Sequence, residues 1–144
     1  MSNDRWIISP EVAGELGEHT VLDARVHPPK VTHLHYRLEG WRGDDLLETF
    51  PCFVVSSRLA EALRASNLVG FELNAAEVTA SPEFEDIYPG RVLPEFHWLN
   101  VSGHDPSADF RLTDDARLEV SDRAWDLLQR FCVSNAVVAS ASHR

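Results

Sequence analysis

The chain has 144 residues, 44% hydrophobic and 25% charged, with 13 basic against 23 acidic side chains and a formal net charge of −10. That length suits one domain with its own core, and the composition excludes wholesale disorder. No apolar run is long enough for a membrane span, and a negative field of this size argues against direct binding to a phosphate backbone.

In chain order, residues 5–8 read as a short strand. Ser9-Pro10-Glu11 then opens a brief helix, with serine as cap, proline in the first turn and glutamate favoured by the dipole; Gly14 and Gly17 weaken it. Residues 21–26 read as extended, and His27-Pro28-Pro29 breaks the chain. Residues 31–38 alternate as a strand that turns at Gly40 and Gly43. The apolar run 46–56 is interrupted by Pro51, which belongs at a strand start or an edge. A helix follows over about 57–66, then a strand over 71–78. Residues 81–90, Ser-Pro-Glu-Phe-Glu-Asp-Ile-Tyr-Pro-Gly, read as an acidic, aromatic connector. Residues 96–101 form the next strand, 103–106 a loop, 122–131 a second long helix and 133–138 a closing strand. The tail 140–144 is expected to fray, and the first residues carry no apolar stretch of the signal-peptide kind.

Two stretches of this map resemble each other. Phe53-Val54-Val55-Ser56-Ser57-Arg58-Leu59-Ala60-Glu61-Ala62-Leu63 recurs 65 positions later as Leu118-Glu119-Val120-Ser121-Asp122-Arg123-Ala124-Trp125-Asp126-Leu127-Leu128. Both read as an apolar strand, a serine cap and a helix with apolar residues three and four apart. A strand with a His-aromatic pair precedes each, His35-Tyr36 and His97-Trp98, at an offset of 62. The expected fold class is α+β, a mostly antiparallel sheet with helices on one face and an internal two-fold pseudo-repeat. The expected organisation is a single domain over 1–144: an N-terminal extension 1–30, a first half 31–80, an acidic connector 81–94, a second half 95–139 and the tail.

Charge is uneven. Between residues 81 and 122 ten acidic side chains face only Arg91, Arg111 and Arg117. Such a field attracts a basic protein partner and speeds encounter with it. Trp41, flanked by Gly40, Arg42 and Gly43, sits in a turn beside Asp44 and Asp45 and reads as an interface anchor. In the connector, Glu83, Glu85, Asp86 and Tyr88 are the matching candidates. Two cysteines without metal-like spacing, Cys52 and Cys132, read as buried free thiols in a reducing cytoplasm.

Chemistry has fewer footholds. His33 and His35, two apart on a strand, share a face and suit two metal ligands, with His97, His104 or Asp105 to complete a site. The segment His104-Asp105-Pro106-Ser107-Ala108-Asp109 holds an imidazole, a hydroxyl and two carboxylates, but Asp-Pro-Ser is also ordinary turn chemistry. Arg58 and Arg123 stand at equivalent places in the two helices, as an anion-binding pair or as solvated side chains. There is no glycine-rich phosphate loop, paired-cysteine motif or nucleophile elbow. No cofactor and no metal are expected from these residues.

The run Glu95-Phe96-His97-Trp98-Leu99, the acidic loop after it, and the strand-serine-arginine-helix segment 118–128 resemble immunity-type proteins of bacterial polymorphic toxin systems. The resemblance spans roughly residues 31–139. This chain has only Cys52 and Cys132 where double-motif relatives carry cysteine pairs. The resemblance implies a non-enzymatic cytoplasmic protein that neutralises a cognate, basic toxin by occluding it, with no catalytic residues. Two alternatives stay open: a metal-dependent or acid-base enzyme using His33, His35, His97 and His104, and a ligand- or protein-binding module unrelated to toxins. The sequence sets no oligomeric state.

Overall fold

A computed structural model describes residues 4–141. The fold is mixed α+β, with mostly antiparallel sheets and few helices. The strands are β1 (Arg5–Ser9), β2 (Gly14–Leu16), β3 (Val21–Asp23), β4 (Lys30–His33), β5 (His35–Leu38), β6 (Leu46–Thr49) and β7 (Cys52–Ser56), followed by helix α1 (Ser57–Arg64). Then come β8 (Phe71–Ala75), β9 (Glu77–Ala80), α2 (Pro82–Ile87), β10 (Phe96–Val101), β11 (Phe110–Leu112), β12 (Leu118–Ser121), α3 (Asp122–Leu128) and β13 (Val137–Ser140). Among the described residues, no helix is long and apolar enough to cross a membrane.

Two four-stranded antiparallel sheets carry the centre, in the orders β6-β7-β10-β8 and β11-β12-β1-β13. Their registers correspond. Leu99 of β10 faces Phe53 and Leu73, while Ile8 of β1 faces Leu118 and Val138. In the second sheet β1 stands at the third place, where β10 stands in the first. The His35-Tyr36 strand expected in that role lies elsewhere: β5 sits between β2, antiparallel, and β9, parallel. Each central strand thus joins the sheet built by the far part of the chain, so a constant sequence offset could not find it.

Packing follows from these sheets. One apolar cluster joins Leu59, Ala60 and Leu63 of α1 with Ala124, Leu127 and Leu128 of α3, against Phe53, Val55, Leu99, Ile8, Leu118 and Val120. A second cluster takes the alternate side of β7 (Cys52, Val54) and adds Tyr36, Leu38, Leu47, Phe96, Trp98 and Phe84 of α2. Strand β7 is buried at all five positions, so it reads as a continuous apolar run in place of alternation. Pro51 lies in the turn between β6 and β7.

Several expected elements differ. No helix follows Ser9: Glu11 bridges Leu47, and β2 pairs with β5. The glycines leave that segment little helical preference, and the β5 edge takes its backbone groups; the Tyr36 hydroxyl also accepts the Ala13 N–H at 3.0 Å. The strand 31–38 is two strands split at Leu34, and 71–78 is two strands split at Ala76. The connector holds α2, capped by the Ser81 hydroxyl, which accepts the Phe84 N–H at 3.1 Å. Ser140 ends β13 and Ala141 is buried, so the tail stays packed that far; 142–144 lie outside the described residues.

Candidate functional site

The serine caps come first, because they decide what Arg58, Arg123 and the expected anchor Asp45 do. Ser56 and Ser121 cap α1 and α3, accepting the N–H of Leu59 and Ala124. Each hydroxyl donates in turn to a buried carboxylate: Ser56 Oγ to Asp45 Oδ1 at 2.6 Å, Ser121 Oγ to Asp109 Oδ1 at 2.7 Å. The arginine two residues after each cap then closes a fork on the same carboxylate. Arg58 reaches Asp45 at 2.8 and 2.7 Å, and Arg123 reaches Asp109 at 2.8 and 2.9 Å. The last donor comes from the other half of the chain: the Cys132 N–H, just past α3, to Asp45, and the Val69 N–H, past α1, to Asp109. Burial pushes both carboxyls up, but these hydrogen bonds outweigh it and hold them below the usual carboxylate range.

Asp44 is equally occupied. Its carboxylate, fully buried, accepts the Asn135 N–H and Nδ2–H, both at 2.9 Å, and the Cys132 thiol at 3.4 Å. Asp44 and Asp45 are therefore internal ties, not partner contacts. A carboxylate beside a turn tryptophan reads as exposed in sequence; here both are turned inward to satisfy the backbone after α3. Trp41 is half-buried, packed edge-on against Phe96 with its Nε1–H donated to the Asp44 carbonyl. The Arg91 guanidinium lies over the Trp41 ring at 4.5 Å and the Tyr88 ring at 4.9 Å.

The remaining connector candidates are at the surface. Glu83, Glu85 and Asp86 are all exposed on α2, and among the described residues none is in an ion pair. Beside them Ile87 and Val92 expose 62% and 89% of their surface.

The four candidate histidines divide between three places. His97 lies with Ser57 and Glu95, Nε2 being 3.2 Å from Ser57 Oγ and 3.8 Å from Glu95 Oε1. Serine and carboxylate meet the same ring nitrogen, so the carboxylate does not hold the opposite N–H as a triad requires. His104 is exposed in the loop, where Asp105 Oδ1 accepts the Ser107 N–H and hydroxyl in a local turn. Asp109 of that segment is the α3 clamp, which ends its reading as an acid-base group.

His33 and His35 both sit near Glu77, a residue the sequence did not single out, as does His19. Glu77 is the parallel register partner of His35, with Thr79 two residues on. The Glu77 carboxylate takes His19 Nδ1 at 2.7 Å on one oxygen and His33 Nε2 at 3.2 Å on the other. His35 is buried; its Nε2 meets Thr79 Oγ1 at 2.7 Å and its Nδ1 accepts the His19 N–H at 3.2 Å. The His19 and His35 rings stack with centroids 4.9 Å apart. Gly17 makes room for this, since a Cβ there would fall 2.2 Å from the His35 ring. One ligand atom each of His19, His35 and Glu77 lie within 4.8 Å of one another, and neither His97 nor His104 belongs to that group. Only the two-apart histidine spacing pointed here; the parallel pairing of β5 and β9 that supplies Glu77 has no local sequence signal.

No family model, no curated protein and no solved structure matches this chain.

Proposed function

We propose that this is a non-enzymatic, cytoplasmic binding protein that captures a basic protein partner and occludes it, in the manner of the immunity-type proteins its sequence resembles. The observation that carries this reading is the surface of α2. Glu83, Glu85 and Asp86 stand exposed and without ion pairs among the described residues, next to the exposed side chains of Ile87 and Val92. Exposed carboxylates and exposed apolar side chains along one segment suit a partner that brings lysines and arginines together with an apolar contact. The net charge of −10 adds long-range attraction for the same partner. Trp41 and Tyr88, the other candidates of this region, are linked by the Arg91 guanidinium that lies over both rings. Free thiols at Cys52 and Cys132 accord with a reducing compartment; burial pushes the Cys52 thiol up to about 12, so it is unreactive.

The test is capture from the source cell's lysate by the wild-type chain and by a Glu83→Lys/Glu85→Lys/Asp86→Lys variant, with the association rate of any recovered partner measured against salt. A stoichiometric basic polypeptide held by the wild type, lost by the variant and associating more slowly at high salt is the expected result. Equal recovery by both proteins would remove α2 from the interface, and absence of a basic partner would sink the reading.

A further inference from the structure

We propose that His19, His35 and Glu77 form a binding site for a divalent transition metal, zinc by the chemistry of its donors, with one coordination position open to the adjacent groove. The inference stands apart from the protein-binding reading and rests on different residues. Two imidazoles and a carboxylate are the donor set of zinc sites that keep a position for water or a ligand. Their ligand atoms already lie within 4.8 Å of one another. Bond lengths of about 2.0–2.1 Å place tetrahedral ligands roughly 3.4 Å apart. Closing that gap asks most of His19, whose side chain is 58% exposed and whose ties are to the other two ligands themselves.

The surroundings are those a metal centre needs. His35 Nδ1 accepts the His19 N–H, so the ring proton sits on Nε2 toward Thr79; the ion would take the Nδ1 lone pair in place of that N–H while Thr79 keeps hold of the ring. The second oxygen of Glu77 meets His33 Nε2, the outer-shell hydrogen bond that orients a ligating carboxylate. Side chains on neighbouring strands carry these groups: β5 and β9 fix His35 and Glu77 across one register pair, and Gly17 lets the His19 turn lie against them. The groove beside the site, about 520 Å³, is lined by Glu15, Glu18, Arg37 and Thr79 among others. A small polar ligand entering the open position would meet both carboxylates and the Arg37 guanidinium.

The experiment is a Zn2+ titration of the tag-free full chain by calorimetry, with Co2+ absorption to read the ligand field. Wild type is expected to bind one equivalent at roughly micromolar affinity or tighter and to melt at a higher temperature with Zn2+. His19→Ala, at an exposed side chain, and Glu77→Gln, at a half-buried one, should each weaken binding at least about tenfold and abolish the Zn2+-dependent rise in melting temperature. His97→Ala and His104→Ala should stay within about twofold of wild type. No saturable binding, binding unchanged in His19→Ala and Glu77→Gln, or binding lost equally in His97→Ala would each overturn the site.

Discussion

Asp45 and Asp109 each gather a serine hydroxyl, an arginine fork and a backbone N–H from the opposite half of the chain. Removing such a carboxylate strips several donors at once and frees a helix cap, whereas removing the exposed arginine leaves the other donors in place. Asp45→Ala and Asp109→Ala should therefore each cost about 2–3 kcal/mol in denaturant unfolding, and Arg58→Ala or Arg123→Ala clearly less. Equal losses for aspartate and arginine variants would show that the ion pair, not the whole cluster, carries the stability. The same carboxyls set an acid limit. Burial raises Asp45, Asp109 and Glu119, but their hydrogen bonds, from Arg111 and Arg5 for Glu119, bring all three below the ordinary range. Folded pKa values below unfolded ones mean that this stability is full above about pH 4–5 and is lost as pH falls through the folded values. Unfolding midpoints should thus drop steeply below about pH 4 in the wild type and less steeply in Asp109→Ala.

At the scale of elements, local chemistry was legible where it was self-contained. The serine caps, the three-and-four spacing of Leu59 and Leu63, and strand β10 are each readable within ten residues. Elements fixed by a neighbour were not: β2 exists because β5 offers an edge, and β11 because β12 does. Gly70 marks one such dependence. It has φ +106°, and a Cβ there would fall 2.2 Å from the Phe110 carbonyl oxygen. Gly70→Ala should cost about 2–3 kcal/mol, through both backbone strain and the clash, while Gly40→Ala, with open space around it, should stay within about 0.5 kcal/mol. A Gly70→Ala protein as stable as wild type would mean that the β8–β11 approach relaxes easily.

For the whole molecule, the decisive feature is the exchange of central strands. β1 completes the sheet of β11, β12 and β13, and β10 completes that of β6, β7 and β8. A cut in the connector at residue 90 therefore leaves each piece without the middle strand of its own sheet. Fragments 1–90 and 91–144 should be unfolded separately by circular dichroism and regain native-like signal when mixed or co-expressed. A fragment that folds alone would show that its sheet closes without the exchanged strand.

What the sequence determined by itself was whatever depends on near neighbours: the class α+β, the helix caps, the acidic face of 83–86, and the likeness of segments 53–63 and 118–128. Only the tertiary structure decided that Asp44 and Asp45 turn inward, that β1 and not the His35 strand answers β10, and that Glu77 and His19 join His35. Each of these is a contact between residues far apart in the chain. Burial and strand pairing are properties of the packed whole, and a side chain's charge or spacing does not record which distant backbone will meet it.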